Sequence, residues 1–206
     1  MLDRLLVEYP DAHCELDYRN AFELLGATIL SAQCTDVRVN MVTPVLFARY
    51  PDAVALSMAE QADVEAIVRT TGFFRAKAKS LIGMGKALVA HHGGEVPRRL
   101  ADLVLLPGVG RKTANVVLGN AFAMNEGIVV DTHVQRLARR LGLTREPDPI
   151  AIERALMPLV PQERWAILSH LLIWHGRRVC FARSPACAEC VLRDVCPSAG
   201  GPDVGD

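Results

Sequence analysis

Apolar residues recur every three or four positions along most of the chain, a spacing that is typical of amphipathic helices. Phe22, Leu25 and Ile29 predict the buried face of one helix, which Asn20 is placed to cap. The same spacing predicts helices after Thr35 and over 54–68, 74–90, 151–160 and 165–174, the last ending at Gly176. Alternation of apolar and polar residues, which would indicate β-strands, is not sustained, and the only compact β-branched run is Ile128–Val130. The pattern therefore predicts an all-α fold with short connections.

The stretch Leu106–Val117 contains a predicted helix end, a glycine turn and the start of another helix. Pro107 is expected to end the first helix, while Gly108 and Gly110 permit backbone conformations that side chains forbid. The N-terminus of the second helix would present unpaired N–H groups, to which a phosphate can bind. One interpretation is a phosphate-binding hairpin that carries Lys112. The other is an ordinary helix–turn–helix connection with a surface lysine, and the motif alone favours it.

Composition and charge narrow the class of protein. The 206 residues are enough for one or two domains, and no apolar run approaches membrane-spanning length. No secretion signal is recognisable at the N-terminus, so we expect a cytoplasmic protein with no membrane partner. The net charge is zero, yet residues 1–66 carry 4 Lys/Arg and 11 Asp/Glu whereas residues 67–206 carry 19 and 12. This asymmetry predicts a molecule with one basic side, and the neutral total predicts salt-sensitive binding to nucleic acid.

Four cysteines lie close together near the C-terminus with the spacing C-x6-C-x2-C-x5-C: Cys180, Cys187, Cys190 and Cys196. Their thiolates could surround one metal centre, since disulfides are not expected in a reducing compartment. Zinc usually takes two C-x2-C pairs, of which only one is present, and an iron–sulfur cluster tolerates wider spacing. The spacing leaves both open and slightly favours iron–sulfur. Cys14 and Cys34 are expected to be small apolar core residues.

Asp131 follows a short apolar run and precedes a predicted helix that begins near Val134. Capping that helix is the simpler role and the one that the local sequence favours. The alternative pairs Asp131 with Lys112 in an active site. An amine attacks a sugar C1′ only when it is deprotonated, and we expect partial burial and the positive helix end to disfavour the ammonium of Lys112. A nearby carboxylate opposes that effect, so Asp131 would have to act on substrate or water.

These motifs occur in an order that resembles the endonuclease III family of helix–hairpin–helix DNA glycosylases, over about 22–196. The matching segments are Phe22–Leu25, Leu30–Gln33, Thr35–Val37, Gly94–Pro97, Leu106–Val117, Val130–His133, His175–Arg177 and the four cysteines. The resemblance implies a two-lobed fold. A six-helix lobe over 15–126 contains the hairpin, and residues 1–14 with 127–206 form an iron–sulfur lobe. The Pro/Gly-rich tail over 197–206 is expected to be disordered.

The resemblance also implies a function. Such enzymes act in base excision repair: they remove oxidised pyrimidines from damaged double-stranded DNA and cut the abasic strand by β-elimination. Lys112 matches the Schiff-base nucleophile, Asp131 matches the activating carboxylate, and the four cysteines match the ligands of a [4Fe–4S] cluster. A monovalent cation at the hairpin turn is a further expectation. We also expect a bacterial monomer that is nucleoid-associated when it is bound to DNA.

Several residues match or stand near the DNA contacts of that family. Gln33 matches a residue that enters the gap left by the extruded nucleotide. Phe73 stands where the family often has a leucine wedge, and Ser184 where it often has a second basic residue. The expected DNA contacts are Gln33, Phe73, Gly108, Gly110, Arg111, Thr132, His133, Arg136, Arg178 and Arg183, with Arg75 and Lys77 as further candidates for phosphate.

Two other functions compete with this one. A monofunctional adenine glycosylase of the same superfamily would share the hairpin and the cysteines, but it lacks a lysine at the position of Lys112 and carries a further C-terminal domain. A non-catalytic DNA-binding module would use the hairpin alone. The presence of both Lys112 and Asp131 argues against such a module.

Overall fold

The computed structural model describes residues 1–200, and regular secondary structure in that range is entirely helical. The helices are α1 Leu2–Glu8, α2 Ala21–Leu30, α3 Asp36–Arg49, α4 Ala53–Ser57, α5 Gln61–Val68, α6 Phe74–His92, α7 Leu100–Leu103, α8 Arg111–Ala121, α9 Thr132–Arg140, α10 Pro149–Leu156 and α11 Trp165–Arg178, with 3-10 turns at Arg69–Thr71, Met157–Leu159 and Gln162–Arg164. The prediction of an all-α fold is confirmed. None of the helices in residues 1–200 is both long enough and apolar enough to cross a membrane.

The chain divides into two compact units. One is residues 15–126, which hold α2 to α8, and the other combines residues 1–14 with the chain from Gly127 onward. The α-helices of the unit 15–126 are α2 to α8, of which α4 and α7 span only five and four residues. Asp52 is the N-cap residue of the short helix α4, and its Oδ1 accepts a hydrogen bond from the N–H of Ala55 at 2.8 Å.

The unit 15–126 is organised around α6. This helix packs against α4 and α5, while α2 packs against α8. Leu24, Leu81, Met84 and Leu118 are completely buried in this unit, and burying each such side chain contributes about 1.5–3 kcal/mol. Asn20 caps α2 as predicted, because its Oδ1 accepts the N–H of Glu23 at 2.9 Å.

The other unit has a separate core between α9, α11 and α1. Leu5 of α1 is fully buried there with Val134 and Leu172. The β-branched run Ile128–Val130 forms no strand in the described chain. It is a buried connection to α9, and the N–H of Val129 donates to Ser169 Oγ at 2.9 Å.

Two expected helix ends are wrong. The helix α11 passes through Gly176 to Arg178, because this glycine serves packing and not termination. A Cβ on Gly176 would lie 3.0 Å from the side chain of His133 on α9, so only glycine lets these two helices approach so closely. The helix α7 ends at Leu103, several residues before Pro107, and turns fill the interval.

The expected disordered tail is also partly wrong. Residues 197–200 form turns, and Ser198 Oγ donates to the carbonyl oxygen of Arg140 at 2.9 Å. This bond ties the segment to the end of α9. The remainder of the expected tail, 201–206, lies outside the described residues.

Candidate functional site

The hairpin between α7 and α8 is held by two buried anchors and one required glycine. Leu106 and Val109 are 4% and 7% exposed, and the N–H of Val109 donates to the carbonyl of Leu106 at 3.1 Å. Gly108 between them has φ +79°, and a Cβ there would lie 2.7 Å from Cβ of Ser80. Glycine is therefore required at position 108 by conformation and by space.

The turn leads directly into the N-terminus of α8. Gly110 is the N-cap residue, so the cap supplies no side-chain acceptor for the N–H groups of the first turn. A Cβ at Gly110 would meet nothing within 4 Å, which leaves the backbone open to an incoming group. Nearby, a cavity of about 650 Å³ is lined by Arg98, Arg99 and Arg111 among others. This arrangement can bind an anionic backbone without contacting its bases.

Lys112 is the second residue of α8 and is exposed. The partial burial expected for it is therefore not found. Within residues 1–200 its ammonium group makes no hydrogen bond or ion pair, so the amine is available to a ligand. The positive end of the helix dipole disfavours a cation at this position by about 0.3–1 kcal/mol.

Asp131 begins α9 as its N-cap residue. Its Oδ1 accepts the N–H of Val134 at 2.8 Å, which confirms the capping role. One carboxylate oxygen serves the cap, and Oδ2 remains for a second partner. Thr132 beside it is exposed, and His133 is half-buried. Burial lowers the pKa of His133, against a smaller opposing effect of Asp131.

Arg136 is expected to contact DNA, and in the structure its guanidinium also donates to backbone carbonyls. Its Nη2 donates to the carbonyls of Gly176 and Cys180 at 2.9 Å each, and its Nε donates to Cys180 at 3.2 Å. The same Nη2 lies 3.2 Å from Nδ1 of His133, where the ring nitrogen accepts. Arg136 thus joins α9 to the end of α11 and to the first cysteine.

Gln33 and Phe73 lie exposed in two turns with unusual backbone. Gln33 has φ +51° and Phe73 has φ +45°. Left-handed conformations at such residues cost on the order of 1–3 kcal/mol and concentrate at functional sites. Phe73 is 69% exposed, so it is not the core aromatic residue that it would be in a purely structural role. Phe74 beside it is half-buried.

Lys77 is almost completely buried, contrary to its expected role as a phosphate contact. It is 5% exposed, and its Nζ donates to the carbonyls of Leu30 at 2.8 Å and Thr71 at 2.6 Å. Burial lowers the pKa of Lys77, while the nearby Cys34 opposes this shift. Of the other candidates, Arg178 stacks on Trp174 with 3.9 Å between its Cζ and the ring centroid.

The four cysteines line one cavity of about 310 Å³ in the unit from Gly127 onward. Their sulfurs do not meet at one point: among residues 1–200, no three Cys, His, Asp or Glu side chains are placed to bind a single ion. Four separate thiolates around a cavity fit the donor set of a polynuclear iron–sulfur cluster. Burial, with smaller contributions from the other three cysteines, raises the pKa of the Cys190 thiol.

Two residues that support this cavity were not assigned roles by sequence reasoning. His175 is 2% exposed and lies with Nε2 3.3 Å from Cys190 Sγ and Nδ1 2.9 Å from the hydroxyl of Tyr9. Burial lowers the pKa of His175 and raises that of Tyr9 to about 12. The N-terminal helix is thus connected to a cysteine near the other end of the chain, and no local signal shows such a contact.

Arg140 is the second support. It is nearly buried, and its guanidinium donates to the carbonyls of Phe181 at 2.6 Å and Ala182 at 2.8 Å. The same group lies 3.5 Å from Cys180 Sγ. The loop that it holds also contains Arg183, which is exposed, and Ser184, which has φ +50°. Arg140 therefore fixes the loop that carries the first cysteine.

Two family models match the chain. The model described as "HhH-GPD superfamily base excision DNA repair protein" matches residues 27–162, and "Iron-sulfur binding domain of endonuclease III" matches residues 180–196. The second match covers the cysteine segment from its first ligand to its last. It resolves the choice between zinc and iron–sulfur that the spacing had left open.

Individual proteins show the same similarity. Endonuclease III of Synechocystis sp. is 56% identical over 191 residues, covering 93% of this chain and 87% of that protein. Two solved structures, a non-covalent endonuclease III–DNA complex and a trapped endonuclease III–DNA covalent intermediate with an estranged adenine, each share 44% identity and a TM-score of 0.92. Each match covers 96% of this chain. It covers 92% of the protein chain in the non-covalent complex and 93% of that in the covalent intermediate.

Proposed function

The chain belongs to the endonuclease III family, within the HhH-GPD superfamily of base excision DNA repair proteins, and from this premise we infer what its site does. The protein is a base excision repair enzyme with DNA glycosylase and abasic-site lyase activity, acting on double-stranded DNA. It carries a [4Fe–4S] cluster in its cysteine segment. We propose that its substrates are oxidised pyrimidines and that the residues described above have the following roles.

Lys112 is the nucleophile. Its neutral Nζ attacks C1′ of the damaged nucleotide, the bond from C1′ to the base breaks, and the base leaves with a proton. The bond from C1′ to O4′ then breaks, which opens the sugar ring and gives the Schiff base, with the proton from nitrogen passing to O4′. The Schiff base makes the proton at C2′ acidic; loss of that proton breaks the bond from C3′ to its oxygen and cuts the strand. Water then hydrolyses the imine and restores the amine. The observation that carries this role is an exposed, unpaired lysine on the first turn after the hairpin.

Asp131 is the activating carboxylate. Because Oδ1 is fixed by the N–H of Val134, the orientation of Oδ2 is set by the helix and not by a flexible chain. That oxygen can hold a water or accept a proton near C1′. The solved structure of a trapped endonuclease III–DNA covalent intermediate supports covalent chemistry of this kind.

DNA is bound by backbone groups and opened by two side chains. The N–H groups around Gly108 and Gly110 hold phosphate, which suits an enzyme that must find lesions in any sequence. A stacked base is out of reach of the amine, so the nucleotide has to leave the helix. Gln33 and Phe73 then occupy the vacated space, as their exposure and left-handed backbone favour. The further proposed DNA contacts are Arg111, Thr132, His133, Arg136, Arg178 and Arg183.

The cluster ligands are Cys180, Cys187, Cys190 and Cys196. When bound, the cluster supplies a rigid crosslink for a loop segment that has little core of its own. Arg140 and the N–H of Leu192, which donates to Cys190 Sγ at 3.4 Å, stabilise the sulfur charges.

The cellular location and a bound cation complete the proposal. We propose that the enzyme acts in the bacterial cytoplasm, on the nucleoid, because the curated relatives are bacterial proteins. A monovalent cation at the hairpin turn stays a prediction. A monofunctional adenine glycosylase is disfavoured by Lys112, and a non-catalytic DNA-binding module by the family itself.

Borohydride trapping on duplex DNA with an abasic site tests the nucleophile. The wild-type protein should form a covalent adduct that Lys112→Ala loses, while Lys86→Ala, an exposed lysine on α6, should form it normally. Binding of the same DNA by Lys112→Ala shows that the variant is folded. If the wild-type protein binds the DNA but forms no adduct, it is not a lyase of this mechanism.

A further inference from the structure

Lys77 is a buried cation that the steps above do not use. Its Nζ donates to two carbonyl oxygens, at 2.8 Å and 2.6 Å, and only 5% of the residue is exposed. Removing an ammonium group from water costs free energy, and the lowered pKa of Lys77 reflects that cost. The two hydrogen bonds offset part of the cost, so the identity of their acceptors matters.

Both acceptors end a helical segment just before an exposed residue with left-handed backbone. Leu30 ends α2, three residues before Gln33, and Thr71 ends a 3-10 turn, two residues before Phe73. Carbonyls at helix C-termini lack partners within the helix and favour a cation. In addition, the backbone N–H of Lys77 donates to the carbonyl of Phe73 at 3.1 Å.

We propose that Lys77 is a positioning residue for DNA opening, which joins the Gln33 turn (31–34) to the Phe73 turn (72–73) so that both side chains enter the duplex as one rigid unit. The inference rests on the proposed function, because it assigns Gln33 and Phe73 to the opened duplex. Lys77 itself contacts no substrate.

The conformations of the two turns need a restraint from outside. Gln33 and Phe73 each adopt a backbone conformation that costs on the order of 1–3 kcal/mol, and such conformations persist only where surrounding contacts impose them. Gly72 precedes Phe73 with φ +71°, and a Cβ at this position would meet nothing within 4 Å, so the glycine adds freedom rather than restraint. One ammonium group bonded to both segments supplies such a restraint.

A comparison of two substrates separates positioning from general stability. The same abasic strand is offered alone and annealed to its complement, and single-turnover strand cleavage is measured on each. Filling a gap is needed only in the duplex, where bases are stacked around the lesion. The ratio of the duplex rate to the single-strand rate is independent of the fraction of enzyme that is folded.

We expect Lys77→Met to lower this ratio by about tenfold or more, since misplacement of positioning groups by about 1 Å costs on the order of 100-fold. Methionine keeps the length and apolar character of the side chain and removes the donors. Lys86→Met, an exposed lysine on the same helix, should leave the ratio unchanged. If Lys77→Met does not fold, Lys77→Leu, which also lacks a donor, is measured with the same expectation.

A variant that combines three substitutions tests whether Lys77 acts through the two exposed side chains. If Lys77 acts through Gln33 and Phe73, adding Lys77→Met to the pair Gln33→Ala and Phe73→Ala should lower the ratio no further. A full additional loss in that background would contradict the proposal, as would an unchanged ratio in Lys77→Met alone. A wild-type protein that cleaves neither substrate refutes the proposed function, whereas an active wild type with an unaffected Lys77→Met ratio refutes only this inference.

Discussion

Lys112 lies exposed on the first turn of α8, whereas Cys190 is half-buried and lies against His175. The hairpin around Lys112 is built from neighbours in sequence: two buried anchors, one required glycine and an uncapped helix start. The cysteine cavity is built from residues far apart in the chain. A site that must accept a large polymer is thus local and open, and a site that holds a cofactor is enclosed by long-range contacts.

The cysteine segment should therefore be the more sensitive of the two to loss of a supporting contact. Arg140→Met removes two charge-assisted hydrogen bonds, to the carbonyls of Phe181 and Ala182, and each such bond contributes about 1.5–3 kcal/mol. We expect the free energy of unfolding of the cluster-containing protein to fall by about 3 kcal/mol, measured by urea denaturation.

Arg139→Met is the matched control for that variant. Arg139 is adjacent and exposed, and it donates only to carbonyls at the surface. Its loss should change the free energy of unfolding by less than about 0.5 kcal/mol. Equal effects of the two variants would show that the guanidinium of Arg140 does not support the cysteine loop.

Replacing Asp131, the proposed activating carboxylate, should lower the activity and leave the stability unchanged. Asn is as good an N-cap as Asp, so Asp131→Asn keeps the acceptor for Val134 and removes the charge. We expect the single-turnover glycosylase rate to fall by about 100-fold while the melting temperature stays unchanged. An unchanged rate would leave Asp131 as a helix cap only.

Caps and buried charges differ in how well local sequence predicts them. Caps are local, and the neighbours of Asn20 and Asp131 correctly predict both as helix starts. Burial is not local: the charge of Lys77 and Arg136 suggests phosphate contacts, yet both side chains donate to backbone carbonyls. Nothing within several residues of Lys77 distinguishes it from an exposed lysine.

The local sequence likewise predicts the role of one glycine and not that of another. The turn at Gly108 is correctly predicted because proline and a second glycine flank it. The helix end predicted at Gly176 is wrong, since the reason for this glycine is the nearness of His133, 43 positions earlier in the chain. The support of Cys190 by His175 and Tyr9 escapes prediction for the same reason, because a contact between chain ends leaves no periodic pattern.

The two hairpin glycines offer a smaller and more local test. Gly108→Ala would force an L residue to φ +79° with its Cβ against Ser80, so we expect a loss of about 1–3 kcal/mol in the free energy of unfolding. Gly110→Ala has open space and φ −96°, so it should cost only about 0.5–1 kcal/mol, because alanine is a poorer N-cap than glycine. Comparable losses at the two positions would contradict the described turn.

The smallest expected effect is a pH dependence. The pKa of His133 is lowered by burial, so the unfolded state binds more protons below the ordinary histidine pKa of about 6.5. Stability linked to His133 is therefore present above that value and is lost as pH falls toward the lowered folded pKa. His133→Asn should flatten the dependence of the free energy of unfolding on pH below about pH 6.5. A wild-type slope that persists in the variant would assign the effect to other groups.

Peptide mapping of the borohydride-reduced adduct tests the central claim most directly, because it identifies the atom that attacks the sugar. The wild-type protein is trapped on duplex DNA with an abasic site, digested and examined by mass spectrometry. We expect the sugar remnant on Lys112 and on no other lysine. A remnant on Lys79 or Lys86, or on the N-terminal amine, would contradict the assignment of the nucleophile to the first turn of α8.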